Sequence, residues 1–208
     1  NINNLENIFS DAIRKNEKIN GVIHFAGLKS IEDSIKDPFS YWENNVAGSI
    51  NLLTVMKKYD CKTIIFSSSA TIYANYGNKK IKEDYLIKPI NPYGRNKSTI
   101  ELFLNDIYES EQSQWKIISL RYFNPIGAHN SGMLGENPMG IVNNIFPLIL
   151  KVASKNIKEL KIFGNDWNTR DGTCIRDYIH IMDLANGHIE ALKYLQNNNP
   201  QLLNLNIG

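Results

Sequence analysis

Tyr93 and Lys97 are four residues apart, and Ser69 ends a serine triplet upstream of them. Residues i and i+4 of an α-helix share one face, so the phenol and the ammonium are expected to be neighbours. A nearby cation favours a phenolate and lowers the pKa of a tyrosine from about 10. Such a phenolate is a base for an alcohol or sugar hydroxyl, and the Ser69 hydroxyl could share the proton. Tyr93, Lys97 and Ser69 are therefore predicted as the catalytic residues of a nicotinamide-dependent reaction.

The Tyr-x-x-x-Lys spacing alone is more often an exposed pair on a helix, so the prediction depends on the surrounding elements. Short apolar runs at residues 21–26, 63–66 and 115–122 are typical of buried strands. Amphipathic helical patterns separate them, and two of these begin at Asp37-Pro38 and Asn91-Pro92. This alternation predicts an α/β fold with a parallel sheet and crossover helices. Ser69 then follows one strand, and Tyr93 and Lys97 lie near the start of the next helix.

The alternation ends after Asn124. A loop containing Gly, Asn and Pro covers residues 125–140, a helical pattern covers 145–153, and an apolar run at 160–163 predicts a strand. A further helix face carries Leu184 and Leu195. We therefore predict two regions: a partial nucleotide-binding domain at 1–124, and a partial substrate-binding region at 125–208 with elements that return to the sheet.

Composition excludes several classes of function. The 208 residues include 23 basic and 21 acidic side chains, with a net charge of +2, and this balance predicts no nucleic-acid partner. No apolar run approaches the ~20 residues of a membrane span, so no membrane partner is predicted. Two cysteines are too few for a disulfide framework, and the four histidines lack metal-ligand spacing. We expect no metal site, and reduced thiols favour a cytoplasmic location.

Further motifs are more specific together than the Tyr-Lys pair is alone. They occur in this order: His24-Phe25-Ala26-Gly27-Leu28-Lys29, Asn44-Asn45-Val46, Phe66-Ser67-Ser68-Ser69-Ala70-Thr71-Ile72-Tyr73, Asn91-Pro92-Tyr93-Gly94, Arg121-Tyr122-Phe123-Asn124-Pro125-Ile126-Gly127-Ala128-His129 and Arg176-Asp177-Tyr178-Ile179-His180. This series resembles the UDP-glucose 4-epimerases, a group within the extended short-chain dehydrogenase/reductase family, over essentially the whole chain. The resemblance implies a Rossmann-like parallel sheet. We expect that sheet to be incomplete, because the family's N-terminal Gly-rich turn and its C-terminal part are not in the sequence.

The resemblance implies interconversion of UDP-glucose and UDP-galactose by NAD-dependent oxidation and re-reduction at sugar carbon 4. This activity is expected of the full-length protein, and residues 1–208 alone are expected to turn over nothing. The implied NAD-binding residues are Phe25, Ala26, Gly27, Lys29, Asn44, Ser67, Ser68, Tyr93, Lys97 and Tyr122. The implied substrate-binding residues are Lys29, Ser69, Tyr93, Phe123, Asn124, Asn143, Asn144, Ile145, Lys161, Phe163 and Arg176.

Three alternatives bear on this interpretation. A sugar-nucleotide 4,6-dehydratase needs an acid–base pair after the serine. Ala70 and Thr71 supply no carboxylate there, which argues against dehydration. Epimerisation of UDP-N-acetylhexosamines or UDP-pentoses stays open, as does a non-catalytic NAD-binding scaffold.

The resemblance also implies a homodimer with a four-helix contact, made by the helices that follow Asp37 and Asn91.

Overall fold

A computed structural model describes residues 1–74, 77, 79–111, 114–136 and 144–208. The strands are β1 (Val22–His24), β2 (Thr63–Ser67), β3 (Lys116–Tyr122), β4 (Asn124–Ile126), β5 (Tyr178–His180) and β6 (Gln201–Ile207). The α-helices are α1 (Ile2–Arg14), α2 (Ile31–Lys36), α3 (Pro38–Tyr41), α4 (Gly48–Lys58), α5 (Pro92–Ser110), α6 (Ile145–Ala153) and α7 (Ile181–Asn197). A π-helical segment (Trp42–Ala47) joins α3 to α4, and a 3₁₀ turn (Ala70–Ile72) follows β2.

Within the described residues, four strands form one parallel sheet in the order β1-β2-β3-β6. In its register, Ile65 of β2 pairs with Ile23 on one side and Ile118 on the other. Parallel strands need crossover connections, and α4, α5 and α7 lie between successive strands of this sheet. The predicted parallel sheet with crossover helices is confirmed.

The two faces of the sheet have separate apolar cores because side chains alternate along each strand. Ile64 and Ile117 belong to one buried cluster, which also contains side chains of α1, α4 and α5. Ile65 and Ile118 belong to the other cluster, together with Leu195 of α7. Burial on both faces explains why these strands are continuous β-branched runs rather than alternating polar and apolar sequences.

The helix predicted from Asp37-Pro38 is present, with a π-helical segment inside it. The Asp37 carboxylate accepts a hydrogen bond from the Ser40 amide at 3.2 Å, and Pro38 occupies the first turn. The sequence pattern missed α2, a six-residue helix whose N-cap is Ser30. A helix this short has too few positions to show a helical period.

The chain divides into two compact units. One comprises Asn1–Tyr122 and Asn186–Ile207, and the other comprises Phe123–Ala185 with Gly208. The second unit contains α6 and the parallel pair β4–β5, with Asn124 opposite Tyr178. The strand predicted at residues 160–163 is wrong, because this stretch is irregular and largely exposed. The domain ranges predicted from the sequence, 1–124 and 125–208, remain a prediction. Among the described helices, none is both long and apolar enough to cross a bilayer.

Candidate active site

The start of α5 positions two of the predicted catalytic side chains. The Asn91 side chain caps the helix by accepting a hydrogen bond from the Gly94 amide at 2.7 Å, and Pro92 provides the first helical residue. Tyr93 and Lys97 follow one turn apart and are both buried. The Lys97 ammonium nitrogen lies 5.8 Å from the centre of the Tyr93 ring. The Tyr93 phenol and the Lys97 ammonium are therefore neighbours, as predicted.

Ser69 approaches the same phenol from the end of β2. It has an extended backbone and caps the 3₁₀ turn, so that its hydroxyl oxygen accepts hydrogen bonds from the Thr71 amide and hydroxyl. The Ser69 hydroxyl is also close enough to the Tyr93 phenol to act against the rise in its pKa. The Lys97 ammonium donates to the Ser67 carbonyl oxygen at 2.7 Å. The fold thus brings Tyr93, Lys97 and Ser69 together at the carboxyl end of β2.

The electrostatics of the phenol differ from the expectation. Burial raises the pKa of Tyr93 strongly, and the Ser69 hydroxyl offsets only part of that rise. Burial also lowers the pKa of Lys97 to about 8, against the opposing effect of the Glu101 charge. The lowered pKa expected for Tyr93 beside Lys97 is not what the structure gives, because desolvation of the phenolate is the largest effect.

Residues 25–29 form a loop after β1, and a buried amide holds it. The Asn45 side-chain oxygen accepts a hydrogen bond from the Leu28 amide at 2.7 Å, and its nitrogen donates to the Leu28 carbonyl at 3.0 Å. Because Gly27 has no side chain, the loop passes close to Asn45: a Cβ at Gly27 would lie 3.1 Å from the Asn45 oxygen and 3.9 Å from the Lys97 nitrogen. Phe25, Ala26 and Lys29 are exposed along this loop.

Sequence reasoning selected Asn44 from the Asn-Asn pair and missed Asn45. Asn44 is exposed, and its amide nitrogen donates to the Ser40 carbonyl at 2.8 Å within its own helix. Asn45 is 2 % exposed and faces the loop. Adjacent helical residues point in different directions, so the pair itself contained the signal that only one of them can be buried.

Two predicted cofactor residues point to opposite faces of the sheet. The Ser67 hydroxyl lies 3.0 Å from His188 Nε2, and the Phe25 ring packs on His188 with centroids 4.5 Å apart. Alternation along β2 directs Ser68 to the other face, where its hydroxyl donates to the buried Glu101 carboxylate. The structure therefore does not bring the Ser68 side chain to Ser69 and Tyr93.

The Glu101 carboxylate also forms a buried ion pair with Arg121. Their closest nitrogen and oxygen are 2.7 Å apart, and the side chains are 5 % and 3 % exposed respectively. The Arg121 guanidinium donates further hydrogen bonds to the Tyr73 hydroxyl at 2.8 Å and to the Glu83 carbonyl at 3.0 Å. This network joins α5 and β3 to the chain that follows the Ser69 turn.

His24 lies at the end of β1, close to the same site. Its Nε2 is 2.8 Å from the Ser49 hydroxyl, which donates to the Asn45 carbonyl. Burial, with a smaller contribution from the Lys97 charge, lowers the pKa of His24 to about 4. His24 is therefore neutral at physiological pH.

The second unit contains most of the predicted substrate residues. The Asn124 side chain donates to the Asp177 carbonyl at 2.7 Å, next to the exposed Arg176, and Phe123 is half-buried. Asn144 occupies the N-cap position of α6, and its side-chain nitrogen donates to the Glu136 carboxylate rather than to the helix. Ile145 is 46 % exposed and Phe163 is 90 % exposed, and Lys161 is also exposed. Asn143 lies outside the described residues. No three His, Cys, Asp or Glu side chains among the described residues are grouped as a metal site requires.

The sequence model of the NAD dependent epimerase/dehydratase family matches residues 4–208. The chain belongs to this family. Curated relatives include a UDP-glucose 4-epimerase of Pisum sativum, 49 % identical over 195 residues, which are 94 % of this chain and 54 % of the relative. Another is the bifunctional UDP-glucose 4-epimerase and UDP-xylose 4-epimerase 3 of Arabidopsis thaliana, 49 % identical over 92 % of this chain and 53 % of its own length. This NAD dependent epimerase/dehydratase chain thus spans about half the length of these relatives.

Solved structures share the fold of the family member described here. The UDP-glucose 4-epimerase of Stenotrophomonas maltophila, with bound NAD and formylated UDP-arabinopyranose, gives a TM-score of 0.92 at 38 % identity, over 100 % of this chain and 60 % of that one. The UDP-glucose 4-epimerase of Bifidobacterium longum, in complex with NAD⁺ and UDP, gives a TM-score of 0.88 at 42 % identity, over 98 % of this chain and 60 % of that one. The predicted Rossmann-like α/β class is confirmed.

Proposed function

We propose that this chain contains the catalytic residues of an NAD-dependent epimerase that inverts carbon 4 of a UDP-hexose and interconverts UDP-glucose and UDP-galactose. The observation that carries the proposal is the junction of Ser69, Tyr93 and Lys97 at the carboxyl end of β2. Ligands of open parallel sheets bind at this edge. The names of the relatives and the complexes of the solved structures support the same substrate class and cofactor.

The residues present fit an NAD molecule. Lys97 has three N–H donors, and its bond to Ser67 accounts for one, so donors remain for ribose hydroxyls. Gly27 leaves space beside Lys97 and Asn45 that a side chain would fill. We propose that loop 25–29, which Asn45 holds, completes the cofactor site together with Ser67 and Tyr122. Phe123, Asn124, Asn144, Ile145, Lys161, Phe163 and Arg176 are proposed to bind the UDP-sugar.

Tyr93 acts as the base and Ser69 assists it. The Tyr93 phenolate takes the proton of the sugar 4-hydroxyl, and the Ser69 hydroxyl donates a hydrogen bond that stabilises the phenolate. When bound, NAD supplies reversible hydride transfer at carbon 4. Because burial raises the pKa of Tyr93, its ionisation depends on positive charge from Lys97 and from the oxidised nicotinamide. Return of the proton from Tyr93 to the 4-oxygen of the inverted sugar completes the reaction.

Replacement of one phenol tests the proposal. In the protein expressed from its complete reading frame, Tyr93→Phe should lower kcat for UDP-galactose at least about 100-fold, because the base is lost. Tyr59→Phe is the matched control, since Tyr59 packs on Phe9 and should leave kcat within about twofold. UDP-xylose and UDP-N-acetylgalactosamine, assayed in parallel, define substrate breadth. Full activity in Tyr93→Phe, or a wild-type protein that binds NAD without turnover, would favour the non-catalytic scaffold.

The assembly and location are also proposals. A groove of about 270 Å³ lies between the π-helical segment, α4 and α5, and Ile50 and Leu102 on its lining are 40 % and 66 % exposed. These helices are the ones expected to form a four-helix contact, so we propose a homodimer through this face. Cys61 and Cys174 are both free thiols, which supports a reducing, cytoplasmic location. Sedimentation of the full-length protein tests the dimer, and a Leu102→Glu variant should shift it to monomer.

A further inference from the structure

Gly94 lies next to Tyr93 on the helix face that meets the Ser69 turn. A Cβ at Gly94 would be 2.6 Å from the Thr71 carbonyl oxygen and 3.0 Å from Pro89 Cβ. The first distance is shorter than real Cβ contacts, and its partner is backbone rather than the end of a flexible side chain. Glycine is less favourable than alanine inside a helix, so helix propensity gives no reason for it here. Close approach of two backbones does give a reason.

Displacement of Thr71 would also move Ser69. The Thr71 amide and hydroxyl both donate to the Ser69 hydroxyl oxygen, at 3.2 and 3.0 Å, and the Ile72 amide donates to the Ser69 carbonyl at 3.3 Å. The far side of the turn is anchored by the Lys88 amide, which donates to the Ile72 carbonyl at 3.0 Å. The turn therefore forms one hydrogen-bonded unit with Ser69.

The first turn of α5, which carries Gly94 and Tyr93, is also anchored by hydrogen bonds. The Gly94 amide donates to the Asn91 cap, and the preceding amide, that of Tyr93, donates to the Ser34 hydroxyl at 3.3 Å. The first turn of α5 is thus held at both the cap and α2. A methyl group at residue 94 would separate two anchored structures rather than push aside a mobile one.

We propose that Gly94 is a positioning residue: its missing side chain lets the first turn of α5 approach the Ser69 turn closely enough to keep the Tyr93 phenol beside the Ser69 hydroxyl. The consequence for catalysis rests on the proposed function, whereas the consequence for geometry does not. The Tyr-Gly-x-x-Lys segment then specifies two things, the base with its cation and the spacing of the base from the serine.

Gly94→Ala in the protein expressed from its complete reading frame tests the inference, with Gly48→Ala as the matched control. Gly48 is also helical, but a Cβ there would meet its nearest neighbour at an ordinary 3.9 Å. We expect Gly94→Ala to lower kcat about tenfold or more at neutral pH with KM within about twofold. The acidic limb of its kcat profile should move to higher pH, because the Ser69 hydroxyl, which acts to lower the pKa of Tyr93, moves away from the phenol. Gly48→Ala should match the wild type in all three measurements.

A crystal structure of Gly94→Ala gives a readout that does not depend on turnover. The inference requires the Ser69 and Tyr93 side-chain oxygens to be farther apart in the variant than in a wild-type crystal structure. An unchanged Ser69–Tyr93 distance, or kcat and pH profile equal to those of Gly48→Ala, would overturn it. Failure of Gly94→Ala to fold while Gly48→Ala folds would also overturn it, because Gly94 would then serve the fold rather than the site. If wild type lacks epimerase activity but the variant shows the separation, the proposed function fails and the positioning stands.

Discussion

Mild acid should destabilise this protein through His24. The imidazole is 8 % exposed, lies 2.8 Å from the Ser49 hydroxyl, and has its pKa lowered to about 4 by burial and by Lys97. In the unfolded chain the pKa of His24 returns to its ordinary 6.5. Between these two values the unfolded state binds more protons than the folded state, so stability falls as pH decreases from 6.5 towards 4.

The size of the effect follows from the two pKa values of His24. Each pH unit of difference corresponds to about 1.4 kcal/mol, so the free energy of unfolding should be about 2 kcal/mol lower at pH 5 than at pH 8, and about 3 kcal/mol lower at pH 4. Lys97, with a pKa of about 8, titrates between pH 8 and 6.5 but stays protonated between pH 6.5 and 4. The pKa values of Glu83 and Glu111 are lowered from 4.5 and those of Asp37 and Asp171 from 3.8, so the stability that these carboxylates provide is lost mainly below pH 5.

Urea unfolding at pH 8, 6.5, 5.5 and 5 measures the effect in wild type and in His24→Gln. The glutamine amide can still hydrogen-bond Ser49 but does not titrate. The variant should be less stable than wild type at pH 8, yet should lose almost none of its stability between pH 6.5 and 5. An equal loss in both proteins over this range would refute the reasoning, because another group would then be the one that titrates.

Other predictions concern buried polar groups. Glu101→Gln should lower the free energy of unfolding by about 3–5 kcal/mol, because the Arg121 charge loses its partner inside the protein; a loss under 1 kcal/mol in urea titration would contradict this. Asn45→Ala should cost about 2 kcal/mol, since both backbone groups of Leu28 lose their bonds, and should weaken NAD binding. Asn44→Ala, its exposed neighbour, should change stability by less than about 0.5 kcal/mol. If chemical denaturation showed that Asn45→Ala and Asn44→Ala lower the free energy of unfolding equally, Asn45 would not be the residue that holds loop 25–29.

Local patterns were sufficient for the main elements of the fold. β-branched runs such as 63–66 predicted strands, and the Asn91-Pro92 start of α5 predicted both the helix and the shared face of Tyr93 and Lys97. These features depend on backbone propensity, caps and side-chain period, all of which are contained within one segment. The run at 160–163 had the same apolar pattern but forms no strand. A strand requires a partner with free backbone groups, which no pattern within the run itself can supply.

The sequence alone thus determined which elements form and which side chains can do chemistry in them. Tertiary structure alone decided that Asn45 holds loop 25–29 and that Ser68 turns towards Glu101. It also decided that burial raises the pKa of Tyr93, where the Tyr-Lys spacing had predicted a lowered value. The reason is physical: a helix cap or a four-residue spacing is a property of one stretch of chain, whereas burial and desolvation depend on which distant segments close around a group and exclude water from it.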